Sequence, residues 1–385
     1  MIYLDYNSTT LLDKEVLKAM KPYLTREYAN PSSVYHFSQR ALKAVCDARL
    51  EVARSISAKE DEIIFTSGGT ESNNLAIKGV ALSAKSKGKH IITSKIEHHS
   101  VLNPCKFLEE RGFNVTYLNV DSFGVVDLGQ LEKSIMKETV LVSIMHANNE
   151  TGTIQPIEKI AKICKAKEVL FHTDAVQSAG KIPLDVNVGI DMLSISAHKF
   201  CGPKGVGALY LRKGIELCPL MHGGHQERDL RAGTENVSGI VGLGKAFFLA
   251  NSSIDKAQKE VTILRERFKE GLKKINGIKL NGHPQKSLYN TLNVSIEGID
   301  AASLLVKLDL KGICISAGSA CMSGSLEPSH VLLAMGLGED RARASIRVSL
   351  GKYNTEKDID RALKAITRAV FDLRKAAAFN IPTLH

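Results

Sequence analysis

The chain has 385 residues, 44% hydrophobic and 24% charged, with a formal net charge of +10. That is the make-up of an ordinary globular protein long enough for two domains, and it excludes collagenous, disordered and disulfide-scaffold classes. No apolar run reaches the ~18 residues of a membrane helix, no secretory signal opens the chain, and the seven cysteines include no C-x-x-C pair, so a reducing cytoplasm and no zinc site are expected.

The lysines and arginines are spread over many helical stretches. They read as solvated helix faces, and no nucleic-acid motif accompanies them, so no direct nucleic-acid binding is expected.

In chain order, residues 2–4 read as a short strand and 7–10 as a polar turn. Asp13 can cap a helix over 14–23. An amphipathic helix covers 39–57. A strand over 62–66 runs into Ser67-Gly68-Gly69-Thr70, followed by a helix over about 75–83. Strand, glycine turn and helix N-terminus together make an anion seat, because free N–H groups and the positive helix end face the ligand.

The alternation continues. A strand over 90–93 leads to His98, one over 140–145 to Asn149, one over 169–171 to Asp174 and Gln177, and one over 192–196 to His198 and Lys199. Strand–helix alternation predicts a mainly parallel sheet, and ligands bind at the carboxyl ends of such strands. All five polar clusters fall there.

Residues 221–236 are a polar loop, and 239–275 are helical with a break at 251–253, where the domain boundary is placed. A strand over 288–296, a helix over 300–308 and a strand over 313–315 follow. Then come a loop of small residues (316–325), a helix near 329–335, a strand over 345–350 and a last helix over 355–376.

Lys199 sits where a strand ends and a Gly202-Pro203/Gly205/Gly207 hairpin begins. An isolated turn lysine is as a rule only solvated, but a partly desolvated one has a nucleophilic amine that can attack a carbonyl. Its companions match the needs of pyridoxal 5'-phosphate (PLP) bound as a Schiff base. Asp174 suits the pyridine nitrogen. Gly69, Thr70, Ser196 and His198 suit the phosphate, and His98 suits the ring face.

The segments TSGGTESNN (66–74), IEHHS (96–100), MHANNETG (145–152), HTDAVQ (172–177), SAHKFCGPKG (196–205), RAGTEN (231–236) and GSACMSGSLEPSHVL (318–332) together resemble the PLP-dependent cysteine desulfurases of the NifS/IscS type. The likeness runs over nearly the whole chain. It implies fold type I, the aminotransferase-like α/β fold, with a large domain on a mainly parallel seven-stranded sheet and a small α+β domain. The large domain would span 14–252, and the small one 1–13 with 253–385. The resemblance also implies a homodimer.

Carried over, the resemblance makes Lys199 the Schiff-base lysine and Asp174 the partner of the pyridine nitrogen. Gln177 contacts the phenolic oxygen, and His98 stacks on the ring and moves protons, with the substrate thiol as one source. Asn149 lies near the substrate. Thr70, Ser196 and His198 bind phosphate, joined by Thr234 from the other subunit. Arg347 holds the substrate carboxylate. Cys321, among Gly318, Ser319, Ala320, Ser323 and Gly324, is the nucleophile.

The activity so implied converts L-cysteine to L-alanine with a persulfide on Cys321, the sulfur passing to an iron–sulfur scaffold or another acceptor protein. No resident metal is implied; Cys321 alone is given a passing role as a cluster ligand. Rival readings are a selenocysteine lyase or other PLP lyase on the same fold, and a non-catalytic partner in iron–sulfur assembly.

Overall fold

The computed structural model describes residues 1–317 and 327–379, with side chains to 376; Cys321 lies outside the described residues. A seven-stranded sheet occupies the centre, in the order Ile63–Thr66, Gly207–Leu211, Met192–Ser196, Leu170–Asp174, Thr139–Ser143, His90–Ser94, Asn114–Leu118. Gly207–Leu211 runs antiparallel to both neighbours, and every other pair is parallel. This is the mainly parallel sheet that the alternation predicts.

Helices cover both faces, so the central strands are almost wholly buried, Met192–Ser196 at every residue and Leu170–Asp174 at all but Leu170. One core packs Phe171, Ile195 and Phe247 on one side; the other packs Ile64, Leu75 and Leu209. Full burial of a side chain such as Phe171 contributes roughly 1.5–3 kcal/mol.

Polar side chains on buried strands need internal partners. His172 meets Ser143 Oγ at 2.8 Å through Nδ1 and Ser194 Oγ at 2.9 Å through Nε2, so one imidazole joins three adjacent strands.

The hairpin after Lys199 is real. A short turn, Ala197–Lys199, is followed by Cys201 at φ 64° and Gly205 at φ 76°. The return strand then pairs with the one that carried the lysine in. Gly207 is required where it stands, because a Cβ there would lie 2.6 Å from the Ile195 carbonyl oxygen and 2.7 Å from Gly68 Cα.

A second sheet, antiparallel, has the order Ser316–Ala317, Ser345–Ser349, Thr291–Ile296, Ile278–Asn281. Helices Ile254–Lys273, Ala301–Asp309 and Glu356–Phe379 share its core, which includes Phe268, Leu304, Ile346 and Ile359. Ile2–Tyr3 pairs in parallel with Ile313–Cys314 and puts Leu4 into the same core. The chain then crosses to the large sheet, where the Thr10 N–H donates to the His198 carbonyl at 3.0 Å. Residues 5–10 thus join the two units beside Lys199.

Two local expectations change. The helix expected from residue 75 is Gly69–Ala81, because Gly68 at φ 152° turns the chain into helical geometry at once. That puts Asn73 on the helix rather than in the turn. Ile278–Asn281 and the helix Leu128–Ser134 were also not anticipated; both are too short to carry a clear period. Among the described residues, no single helix is long and apolar enough to cross a membrane.

Candidate active site

The carboxyl ends of the parallel strands open into a cavity of about 260 Å³. Ten of the twelve residues singled out in the sequence line it: Gly69, Thr70, His98, Asn149, Asp174, Gln177, Ser196, His198, Lys199 and Arg347. Thr234 is exposed on the 221–236 loop and does not line it. Cys321 lies outside the described residues, but the chain on either side is held near the cavity. Ser316 Oγ donates to Asp5 at 2.9 Å, and Ser329 Oγ donates to Glu150 at 2.5 Å.

Lys199 points its Nζ at the crossing segment, donating to the carbonyls of Asn7 and Ser8, each at 2.7 Å. Gln177 Nε2 donates to the same Asn7 carbonyl at 2.9 Å. Asn7 is buried, and its Nδ2 donates to the Asn149 carbonyl at 3.1 Å and to Thr291 Oγ1 at 2.9 Å. Behind Lys199, Lys181 donates to the Gln177 carbonyl at 2.8 Å; burial and the charge of Lys199 bring its amine down to about 7.

Asp174 ends its strand nearly buried. Its Oδ1 accepts from the Val176 N–H at 2.9 Å, and its Oδ2 accepts from Asn73 Nδ2 at 2.7 Å. Asn73 Nδ2 also donates to Ser100 Oγ at 2.8 Å, and Ser100 Oγ lies 2.8 Å from His98 Nδ1. His98 caps the helix His99–Glu109, accepting from the Ser100 N–H at 3.1 Å. Burial lowers its pKa; Asp174 opposes that, and the charges of Lys199 and His99 reinforce it. His98 is therefore a neutral imidazole at pH 7.

The other end of the cavity is built for an anion. Gly69 and Thr70 begin a 13-residue helix, so their N–H groups have no intrahelical acceptor and meet the positive helix end. Ser196 and His198 also line the cavity, and Ser196 lies beside this turn, its Cβ 3.6 Å from where a Cβ on Gly69 would stand. Burial, then the charges of Lys199, Lys204 and Lys181, takes His198 down to about 4, so it too is neutral. Gly69 is a close-fitting wall: a Cβ there would come 2.6 Å from Val176 Cγ2.

Arg347 is 3% exposed, and its Nη1 donates to the Asn149 carbonyl at 3.1 Å. Its Nε, Asn73 Oδ1 and Gln177 Oε1 are buried without a hydrogen-bond partner among the described residues. Unpaired buried polar atoms are costly. Three around one cavity, with an anion seat and a buried carboxylate, fit a ligand that carries both an anionic group and ring heteroatoms. PLP meets that description, and these residues fit it.

Sequence reading did not single out Asn73, Ser100, Asn7, Asp5 or Glu150. For Asn73 a signal existed, since it lies four residues after Gly69 on the same helix. For Asp5 and Asn7 no local signal exists, because their contacts span most of the chain.

The aminotransferase class-V family model matches residues 2–362. A protein named cysteine desulfurase IscS from Dictyoglomus turgidum (strain DSM 6724 / Z-1310) is 53% identical over 380 residues, covering 98% of this chain and 96% of that protein. Among solved structures, one described as a NifS-like protein superposes with a TM-score of 0.91 at 43% identity, covering 96% of this chain and 99% of the other. Another, described as SspA in complex with cysteine, has a TM-score of 0.82 at 42% identity, covering 92% and 100%.

Proposed function

This chain belongs to the class-V aminotransferase family and, within it, to the cysteine desulfurases; we propose that it takes sulfur from L-cysteine with PLP, leaving L-alanine and a persulfide on Cys321. The observation that carries this reading is the convergence of Lys199, Asp174 and Arg347 on one cavity. A likeness to a structure solved with cysteine supports the choice of substrate.

PLP, when bound, supplies a cationic ring that stabilises negative charge at the substrate's Cα. Asp174, oriented by Val176 and Asn73, holds the ring nitrogen. Lys199 would be the covalent anchor, and its free amine would be the base that removes the Cα proton. Gly69, Thr70, Ser196 and His198 hold the phosphate, with Thr234 contributed from a second copy in a homodimer. Gln177 holds the phenolic oxygen.

Arg347 takes the substrate carboxylate, with Asn149 beside it. His98, in the cavity wall, would take the ring face and exchange protons through its ring nitrogen. The Cys321 thiolate attacks the substrate sulfur: an S–S bond forms, the C–S bond breaks, and the carbon fragment gains a proton and leaves as alanine. Ser316 and Ser329, anchored beside Asp5 and Glu150, support placing Cys321 near this cavity. In the same reading, residues 14–252 form the PLP-binding unit, and 1–13 with 253–385 form the unit carrying Cys321. The sulfur acceptor is an iron–sulfur scaffold or another acceptor protein, and the setting is cytoplasmic.

The test is alanine release from L-cysteine by the PLP-loaded protein, with sulfide counted after added thiol. Equal amounts of the two products are expected. No alanine, with PLP bound, overturns the reading.

A further inference from the structure

We infer that Asn73, through Ser100, is a positioning residue that ties the Asp174 carboxylate to the His98 imidazole and fixes His98 with its proton on Nε2. The inference rests on the reading of this cavity as the PLP site, but it concerns bonds within the chain itself.

The direction of each hydrogen bond follows from donor counts. A carboxylate only accepts, so Asp174 Oδ2 at 2.7 Å must face the amino end of the Asn73 amide. That nitrogen has two hydrogens, and the second goes to Ser100 Oγ at 2.8 Å. Ser100 Oγ, accepting there, has its own hydrogen to give, and His98 Nδ1 lies 2.8 Å away. The Ser100 backbone N–H, which can only donate, reaches the same Nδ1 at 3.1 Å. Two donors meet on Nδ1, so Nδ1 carries the lone pair. A neutral imidazole has one N–H, and it is then on Nε2.

The surroundings keep the ring neutral. Asp174 attracts a second proton, while burial, Lys199 and His99 oppose it. His330 packs against His99 with ring centroids 5.0 Å apart. Asn73 itself is fully buried, and among the described residues it is the one side chain hydrogen-bonded to both Asp174 and the Ser100 hydroxyl.

The consequence is chemical. Neutral His98 offers a donor rather than a lone pair, so it supplies a hydrogen to charge that develops beside it. To act first as a base toward the substrate thiol, it would have to move its proton to Nδ1 and break both bonds from Ser100. Asn73 sets that preference from the far side of Ser100, and it also holds the carboxylate that serves the ring nitrogen.

The test is long-range ¹H–¹⁵N NMR of the histidine rings in the cofactor-free protein, with His98 assigned from the signals lost in His98→Gln. The parent is expected to show Nδ1 unprotonated and Nε2 protonated. Ser100→Ala removes one donor and should move the tautomer ratio toward Nδ1–H, on the order of fivefold for one neutral hydrogen bond. Ser100→Thr keeps the hydroxyl and should restore the parent pattern.

Asn73→Asp replaces a donor by an acceptor of the same shape. The Ser100 hydroxyl should turn toward it, giving the same shift as Ser100→Ala. Nδ1 protonated in the parent, or no change in Ser100→Ala and Asn73→Asp, overturns the inference. If Asn73→Asp does not fold, the two Ser100 variants decide. Because the measurement needs neither PLP nor turnover, its failure is distinct from a failure of the alanine assay.

Discussion

Arg347 Nη2 meets Asp5 Oδ1 at 2.7 Å, so this cation in the cavity wall is aimed by the N-terminal segment that crosses between the two sheets. Asp5 is itself held, since its other oxygen accepts from Ser316 Oγ at 2.9 Å. Nη1 is tied to Asn149. The guanidinium plane is therefore set before substrate arrives; these bonds use two of its five N–H donors, and the buried Nε has no partner among the described residues. A pre-oriented planar fork binds a carboxylate with less ordering cost than a mobile ammonium.

Arg347→Lys should accordingly raise KM for L-cysteine by roughly 10- to 100-fold, the worth of a lost charge-assisted hydrogen bond. The effect on kcat should be smaller. Asp5→Asn keeps the shape but weakens the aim, so a several-fold rise in KM is expected. Steady-state kinetics separates the cases; an unchanged KM in Arg347→Lys would show that the carboxylate binds elsewhere.

Lys199→Ala removes both the anchor and the base, and loss of turnover on the order of 10³-fold or more is expected. Borohydride reduction followed by peptide mass spectrometry should find PLP on the peptide containing Lys199 in the parent and none in the variant. PLP trapped on Lys181, whose amine is near neutrality and close by, would reassign the anchor.

Cys321 is tested by mapping. After L-cysteine without reductant, added sulfur should appear on the peptide containing Cys321 and disappear in Cys321→Ala, which should also stop multiple-turnover alanine release. Sulfur on Cys314 or Cys201 instead would move the acceptor thiol. Burial raises the Cys201 thiol, which argues against it as the nucleophile.

The strand ends were legible because a parallel sheet forces functional side chains to one edge, and a strand followed by a polar cluster is a local pattern. Lys199, Asp174, His98 and the Gly68-Gly69 turn all announce themselves in this way. Asn73 was hidden by one local misreading: with the helix begun at residue 75, it fell in the turn. Gly68 starts the helix at Gly69, and Asn73 then stands one turn in, facing Asp174. Asp5 and Asn7 were not legible at all. Their partners, Arg347 and Lys199, lie 342 and 192 residues away, and only the folded chain brings them together.

The most buried ion pair of the 221–236 loop is Arg49–Glu227. Glu227, at 3% side-chain exposure, meets Arg49 at 2.6 Å and also accepts the Phe65 N–H at 2.8 Å. It sits at φ 45°, followed by Arg228 at 58° and Asp229 at 64°. Three consecutive left-handed non-glycine residues are strained, and the Arg49 and Phe65 bonds hold them. Glu227→Ala should cost about 3 kcal/mol, because it leaves the Arg49 cation unpaired and the Phe65 N–H without an acceptor. Glu227→Gln keeps the latter and should cost less. Urea midpoints of the cofactor-free protein check the order; equal stability of the three proteins would contradict it.

Two buried groups contribute to the pH dependence of stability with opposite sign. Burial lowers His172 from 6.5 to about 3. The unfolded chain then binds a proton that the folded one refuses, so this contribution is whole above pH 6.5 and is lost as pH falls toward 3. Burial raises Glu150 from 4.5 to about 7, against the opposing pull of Ser329 and Arg347. Here the folded chain keeps a proton that the unfolded one releases, so the contribution is whole below pH 4.5 and is lost as pH rises through 7. Between pH 4.5 and 6.5 the two oppose each other, each worth about 1.4 kcal/mol per pH unit. Replacing either one should unmask the other. His172→Asn should make the slope of stability against pH in that window more negative, whereas Glu150→Gln, which can still meet Ser329, should make it more positive by a similar amount. Urea unfolding at several pH values reads both slopes; if the two variants shift the slope in the same direction, the opposition between these two sites is not what governs the acid limb.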